Sequence, residues 1–138
     1  MTDTVPDYPT EIQTYELVFP EHANPHGAAF GGHVLGLMDK VGWYAATRAA
    51  KCAMVTIAVE KVEFKVPIRV GDLLELRGRI LRVGRTSILV LVEVFRTKFG
   101  SHDQAILATT GQLTFVAVDE KGTPMVHGLP AYAAQEHP

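Results

Sequence analysis

The chain has 138 residues, 47% of them hydrophobic and 20% charged, a size and balance that fit one compact domain and exclude a disordered or collagen-like chain. Thirteen basic against fifteen acidic side chains leave a formal charge of −2, which makes no case for nucleic-acid binding. The single cysteine, Cys52, forms no intrachain disulfide, no Cys/His cluster suggests zinc, and the longest apolar runs, such as 88–92, are too short to cross a bilayer.

In chain order, residues 1–10, with Pro6 and Pro9, read as a loose tail. Acids are scattered through this opening stretch and the first Lys or Arg is Lys40. The cationic start of an export signal is missing, so the expectation is a cytoplasmic protein. Tyr15, Leu17 and Phe19 alternate as in a short strand that ends at Pro20. His22 to Gly27 is rich in turn formers, with Asn24-Pro25 and Gly27 as breakers. From Gly32 to about Ala50 there is no proline, and Val34, Leu37, Met38, Val41 and Ala45 recur at helical spacing.

Strands follow. Residues 54–66 carry Val55, Ile57 and Val59 on one phase, then Val62, Phe64 and Val66 on the other, so a bulge or bend is expected at Glu60-Lys61. After a turn at Pro67 and Gly71-Asp72, Leu74, Leu76 and Ile80 alternate with Glu75, Arg77 and Arg79, a strand with one wet face that Gly84 closes. Ile88, Val90, Val92 and Val94 define the next strand, and 104–118 the last. The tail 123–138, with Pro124, Pro130 and Pro138, reads as irregular. One helix cannot supply the crossovers of a parallel sheet. The expectation is therefore a single α+β domain, core about 11–119, in which an antiparallel sheet of five to six strands curls around one buried helix.

Charge is uneven along this plan. Residues 1–39 hold six acids and no Lys or Arg; 61–98 hold nine basic residues and four acids. A solvated strand face accounts for most of that excess, and an anionic ligand bearing phosphates is the alternative.

Asp39 is the anomaly of the helix. At about 100° per residue it falls opposite Val34, Met38, Val41 and Ala45, beside Gly32, Gly36 and Trp43. Its neighbours three and four positions away, Leu35, Gly36, Gly42 and Trp43, carry no positive charge, so no ion pair explains it. Either partners from another strand or subunit satisfy the carboxylate, or it serves as a base or nucleophile in a partly apolar cleft. Gly31 and Gly32 stand where the helix begins, leaving unpaired N–H groups that suit a thioester carbonyl or oxyanion; a plain helix-entry turn is the simpler reading. Asn24 is either a turn residue before Pro25 or an amide that orients a carbonyl or water. His33 is a conceivable general base, yet a lone histidine at a helix start is commonly structural. His22 and His26 are separated by Pro25, which disfavours a helical metal pair. The glycines match neither a P-loop nor GxGxxG.

The run Asn24-Pro25-His26-Gly27-Ala28-Ala29-Phe30-Gly31-Gly32, followed by Leu37-Met38-Asp39-Lys40, resembles the signature of hotdog-fold acyl-CoA thioesterases of the YciA-like type. Phe64-Lys65-Val66-Pro67-Ile68-Arg69-Val70-Gly71-Asp72 and Val83-Gly84-Arg85-Thr86-Ser87 match in the same order. The resemblance implies a hotdog fold and hydrolysis of an acyl-CoA to a free acid and CoA. It implies Asp39 as catalytic carboxylate, Asn24 as its counterpart from the partner protomer, and N–H groups around Gly32 and His33 against the carbonyl. It also implies Gly84, Arg85, Thr86 and Ser87 near the CoA moiety, no required cofactor, and a hotdog dimer assembled into a trimer of dimers. His26 departs from the small or polar residues expected in that loop. A hydratase on the same fold and a non-enzymatic acyl-CoA-binding module are the rival expectations.

Overall fold

The computed structural model describes residues 6–135. Six strands and one long helix follow in the order β1 (Glu11–Leu17), α1 (Gly31–Ala50), β2 (Met54–Phe64), β3 (Asp72–Val83), β4 (Ser87–Lys98), β5 (Ile106–Ala117) and β6 (Tyr132–Ala133), with a 3-10 turn at Pro20–His22 between β1 and α1. The strands form one antiparallel sheet ordered β1-β3-β4-β5-β2, with β6 added beside the end of β3. This is the arrangement the scarcity of helices required. Residues 1–5 of the expected N-terminal tail lie outside the described residues, as do residues 136–138 of the C-terminal tail.

Helix α1 buries the face its periodicity marked, Val34, Met38, Val41 and Ala45, together with Gly42, Ala46 and Ala49. These residues meet the inward phase of the sheet, where Leu74, Leu76 and Ile80 of β3, Ile88 to Val94 on alternate positions of β4, and Leu113 and Phe115 of β5 are buried. Gly42 lets the helix sit directly on the Phe115 ring: a Cβ there would lie 2.8 Å from Cε2. Lys51 ends the helix in the left-handed conformation, φ 55°, and its N–H donates to the Thr47 carbonyl at 2.7 Å, a closing turn that glycine more often supplies.

Three elements differ from expectation. Strand β1 starts at Glu11 and stops at Leu17, so Phe19 belongs to the turn instead. Strand β2 carries two irregularities, the expected one between Glu60 and Glu63, where Lys61 has φ 54°, and another between Thr56 and Ala58. The second moves Val59 out of phase with Val55: Val59 pairs with inward Leu113, Val55 with Val116. The tail contributes β6, whose Tyr132 packs on the core and whose neighbour Ala134 donates its N–H to the Leu81 carbonyl at 2.8 Å. Two residues are too few for a periodic signal.

At the β2 edge the apolar residues are uncovered. Val55, Ile57, Val59 and Phe64 are 43, 60, 46 and 55% exposed, and Trp43 of α1 is 39% exposed beside them. Among the described residues no helix is long and apolar enough to span a membrane.

Candidate active site

The site lies along the side of α1 that faces the β2 edge. Asp39 is half-buried there. The Thr56 hydroxyl, turned inward opposite Phe115, donates to Asp39 Oδ1 at 2.6 Å. One turn further on, Trp43 Nε1–H donates to the Met54 carbonyl at 3.0 Å, which ties the indole to the start of β2. Among the described residues the ion pairs are Lys65–Glu63 and Arg77–Glu75; Asp39 is in neither. The carboxylate is thus oriented by one hydroxyl and left otherwise free. Thr56 escaped the sequence reading because it lies between apolar Val55 and Ile57, on the phase that starts from buried Met54 and pairs with Phe115.

The helix start offers a donor. Phe30 is the N-cap without a side-chain cap. Its carbonyl accepts the N–H groups of His33 at 3.1 Å and Val34 at 3.2 Å. The His33 N–H is therefore already engaged, whereas the Gly32 N–H has no partner among the described residues and points out with the positive end of the helix dipole. The ring of Phe64 covers Gly31, its Cζ 3.1 Å from where a Cβ would stand, so a larger residue there would have to push the ring aside by a few tenths of an ångström.

Asn24 forms a turn. Its Oδ1 accepts the N–H groups of His26 at 2.9 Å and Ala28 at 3.1 Å, and its own N–H donates to the Ala28 carbonyl at 2.8 Å. The side-chain Nδ2 is unpaired among the described residues. The Oδ1 end of the amide shapes the loop, as the turn reading of Asn24 expects. His26 is exposed and touches the loop through its backbone.

The rings of His22 and His33 stack at 3.8 Å and 11°, while His22 Nδ1 accepts the Phe19 N–H at 3.2 Å. Burial first, then the neighbouring His22 and Lys40, hold His33 below its ordinary value of 6.5, against the opposing pull of Glu16. A neutral, stacked imidazole fits a loop brace.

Gly84, Arg85, Thr86 and Ser87 form the β3–β4 turn, closed by the Gly84 N–H donating to the Ser87 carbonyl at 2.9 Å. The Thr86 carbonyl accepts the Ala117 N–H at 2.9 Å, and Ala117 pairs with Met54 just beyond the end of α1. The turn is therefore at the far end of the helix, which at 20 residues is about 30 Å long. The structure brings Asp39 to Thr56 and Asn24 to the helix start. It does not bring those two pairs, or the turn, together within one chain: the seven residues from Gly32 to Asp39 span about 10 Å of helix. Among the described residues no group of three or more His, Cys, Asp or Glu is placed to hold a metal ion.

A profile described as the thioesterase superfamily matches residues 26–99, which include Asp39, Thr56 and the helix start. The chain belongs to the thioesterase superfamily. Within it, this thioesterase is 34% identical over 125 residues to the acyl-CoA thioester hydrolase YciA of Escherichia coli, covering 89% of this chain and 93% of that one. An apo-hexameric acyl-CoA thioesterase superposes on it with TM-score 0.82 and 36% identity, over 92% of this chain and 80% of that one. An acyl-CoA hydrolase of Staphylococcus aureus, solved with butyryl coenzyme A, coenzyme A and coenzyme A disulfide, gives TM-score 0.82 and 28% identity over 92% and 76%. That hydrolase has also been solved as single alanine variants of a threonine, an aspartate and an asparagine. The hotdog architecture expected of this thioesterase is the one it has.

Proposed function

We propose that this thioesterase hydrolyses acyl-CoA to a free acid and CoA in a site shared by two chains. The observation that carries the reading is the Asp39 carboxylate, half-buried, oriented by Thr56 and without an ion-pair partner on the open side of α1. The three positions varied in the Staphylococcus hydrolase are spaced along that chain as Asn24, Asp39 and Thr56 are along this one, which supports assigning the same trio here.

A second copy completes the site. Strand β2 is an edge strand with its apolar residues uncovered, and antiparallel pairing of two such edges sets the Phe64 end of one chain against the Met54 end of its partner. Asn24, the Gly32 N–H and Phe64 of one protomer then meet Asp39, Thr56 and the Gly84–Ser87 turn of the other. This removes the separation of about 10 Å along one helix. The hexameric relatives support a trimer of such dimers.

The thioester carbonyl accepts from the Gly32 N–H and the Asn24 amide as negative charge develops on it. In one route water adds to the carbonyl carbon and gives its proton to Asp39; the C–S bond breaks, and the thiolate takes that proton. In the other, Asp39 attacks the carbon, expels the thiolate, and water cleaves the mixed anhydride. Thiolate is a good leaving group, so the reading requires no cofactor. The test is thiol release from short, medium and long acyl-CoAs by the wild type and Asp39→Asn. Turnover lost by about 100-fold or more, with folding and CoA binding kept, is the expected result. Hydration of 2-enoyl-CoA without thiol release, or CoA binding with no reaction, would establish one of the rivals instead.

A further inference from the structure

A second cleft, of about 820 Å³, opens between the end of β1, the β2–β3 turn and the end of β4, and is lined by Leu17, Arg69, Val70, Arg96, Lys98 and Phe99. The pleat explains its charge. Arg96 and Lys98 continue the phase of Val92 and Val94, whose side chains face the helix, but they lie past the helix start, with nothing of α1 left to cover them. In register, Arg96 stands opposite Leu74 and Lys98 opposite Asp72.

None of the three cations is neutralised among the described residues. Asp72 Oδ2 is taken by the Arg69 backbone N–H at 2.8 Å, and neither ion pair among the described residues involves Arg69, Arg96 or Lys98. Arg69 reaches only a carbonyl, that of His26, at 3.2 Å. The Arg96 Nε–H is buried with no partner among the described residues, a cost that a bound anion drawing the guanidinium toward it would offset. The other walls, Leu17, Val70 and Phe99, are apolar, and the last two are exposed. The volume falls in the usual range for small-molecule clefts. Three cations beside apolar walls match a ligand with several phosphates and a flat, weakly polar ring.

From this we infer that the Arg69–Arg96–Lys98 cleft binds the phosphate-bearing end of a nucleotide, supplied either by CoA itself or by a free nucleotide. The CoA source rests on the proposed acyl-CoA reading; the cleft adjoins the Asn24 loop through the Ala28–Arg69 bridge, close enough for an extended substrate to enter both. Binding of the nucleotide source is independent of turnover.

The test is calorimetric titration of the full chain with ADP, with CoA and with inorganic phosphate, for the wild type and for Arg96→Gln/Lys98→Gln. Micromolar ADP or CoA binding, weakened at least tenfold in the double variant and steeply weakened by salt, is expected. Loss of both ligands assigns the cleft to CoA's own nucleotide; loss of ADP alone assigns it to a free nucleotide. Wild type that binds neither, a double variant that binds both unchanged, or inorganic phosphate bound as tightly as ADP overturns the inference. Should the double variant fail to fold, Lys98→Gln alone, at an exposed position, is read by the same titrations and must weaken binding and flatten its salt dependence. Thiol release is measured beside these titrations. A wild type that cleaves acyl-CoA yet has no nucleotide site sinks this inference alone, and one that binds nucleotide but releases no thiol sinks the hydrolase reading alone.

Discussion

Replacing Thr56 with valine keeps the shape of the side chain and removes one hydroxyl. That hydroxyl donates to Asp39 Oδ1 at 2.6 Å, within the short range of charge-assisted O–H···O⁻ bonds. Such a bond is worth about 1.5–3 kcal/mol when its acceptor is charged. Thr56 is exposed in the single chain, which places the expected loss in the lower half of that range. At about 1.36 kcal/mol per factor of ten, kcat/KM for acyl-CoA hydrolysis falls roughly 13- to 45-fold. Thr56→Ser, which retains the donor, stays within about threefold of wild type on the same scale. The assay is steady-state thiol release, run also in an Asp39→Asn background, where removing the hydroxyl adds little because its charged acceptor has gone. Valine at full activity in an otherwise wild-type chain, with Asp39→Asn inactive, would refute the claim that Thr56 orients the carboxylate.

Gly42→Ala gains about 1 kcal/mol of helix propensity but forces a methyl to 2.8 Å from the fully buried Phe115 ring; overpacking of about 1–3 kcal/mol lowers the melting temperature, read by thermal unfolding. Burial and His22 hold His33 below 6.5, so the unfolded chain takes up the proton more readily. Stability from this group is complete above pH 6.5 and declines as the pH falls below it; His33→Gln shows a shallower loss of melting temperature between pH 7.5 and 5 on the order of that window. Ile57→Lys, at a 60% exposed position of the β2 edge, leaves a folded chain that sediments as a monomer and loses thiol release, since lysine on an edge opposes strand pairing.

The fold was largely legible because its signals are periodic. One proline-free helical repeat fixes α1, and alternation fixes β3 and β4, whose inward residues are buried from Asp72 to Ile80 and from Ile88 to Val94. The phase change at Glu60-Lys61 marked a bulge that is present. What periodicity could not show is the other bulge, after Thr56, since one extra residue in a run of apolar ones leaves no mark on composition. Phe19 was drawn into β1 by its spacing, yet Pro20 starts a 3-10 turn that pulls it out. Of the site, Asp39 and Gly32 stood out because their surroundings broke the helical pattern. Thr56, the His22–His33 stack and the Arg96–Lys98 pair are tertiary meetings, set by register and by where the helix happens to stop.

The distance that α1 itself imposes between Gly32 and Asp39 has a genetic consequence. Two dead proteins, one altered at Asn24 and the other at Asp39, form mixed pairs in which one of the two clefts receives both sound residues while the other receives both damaged ones. Blending them, with time for subunits to exchange, restores activity that neither possesses separately, and the recovery climbs as the proportions approach equality.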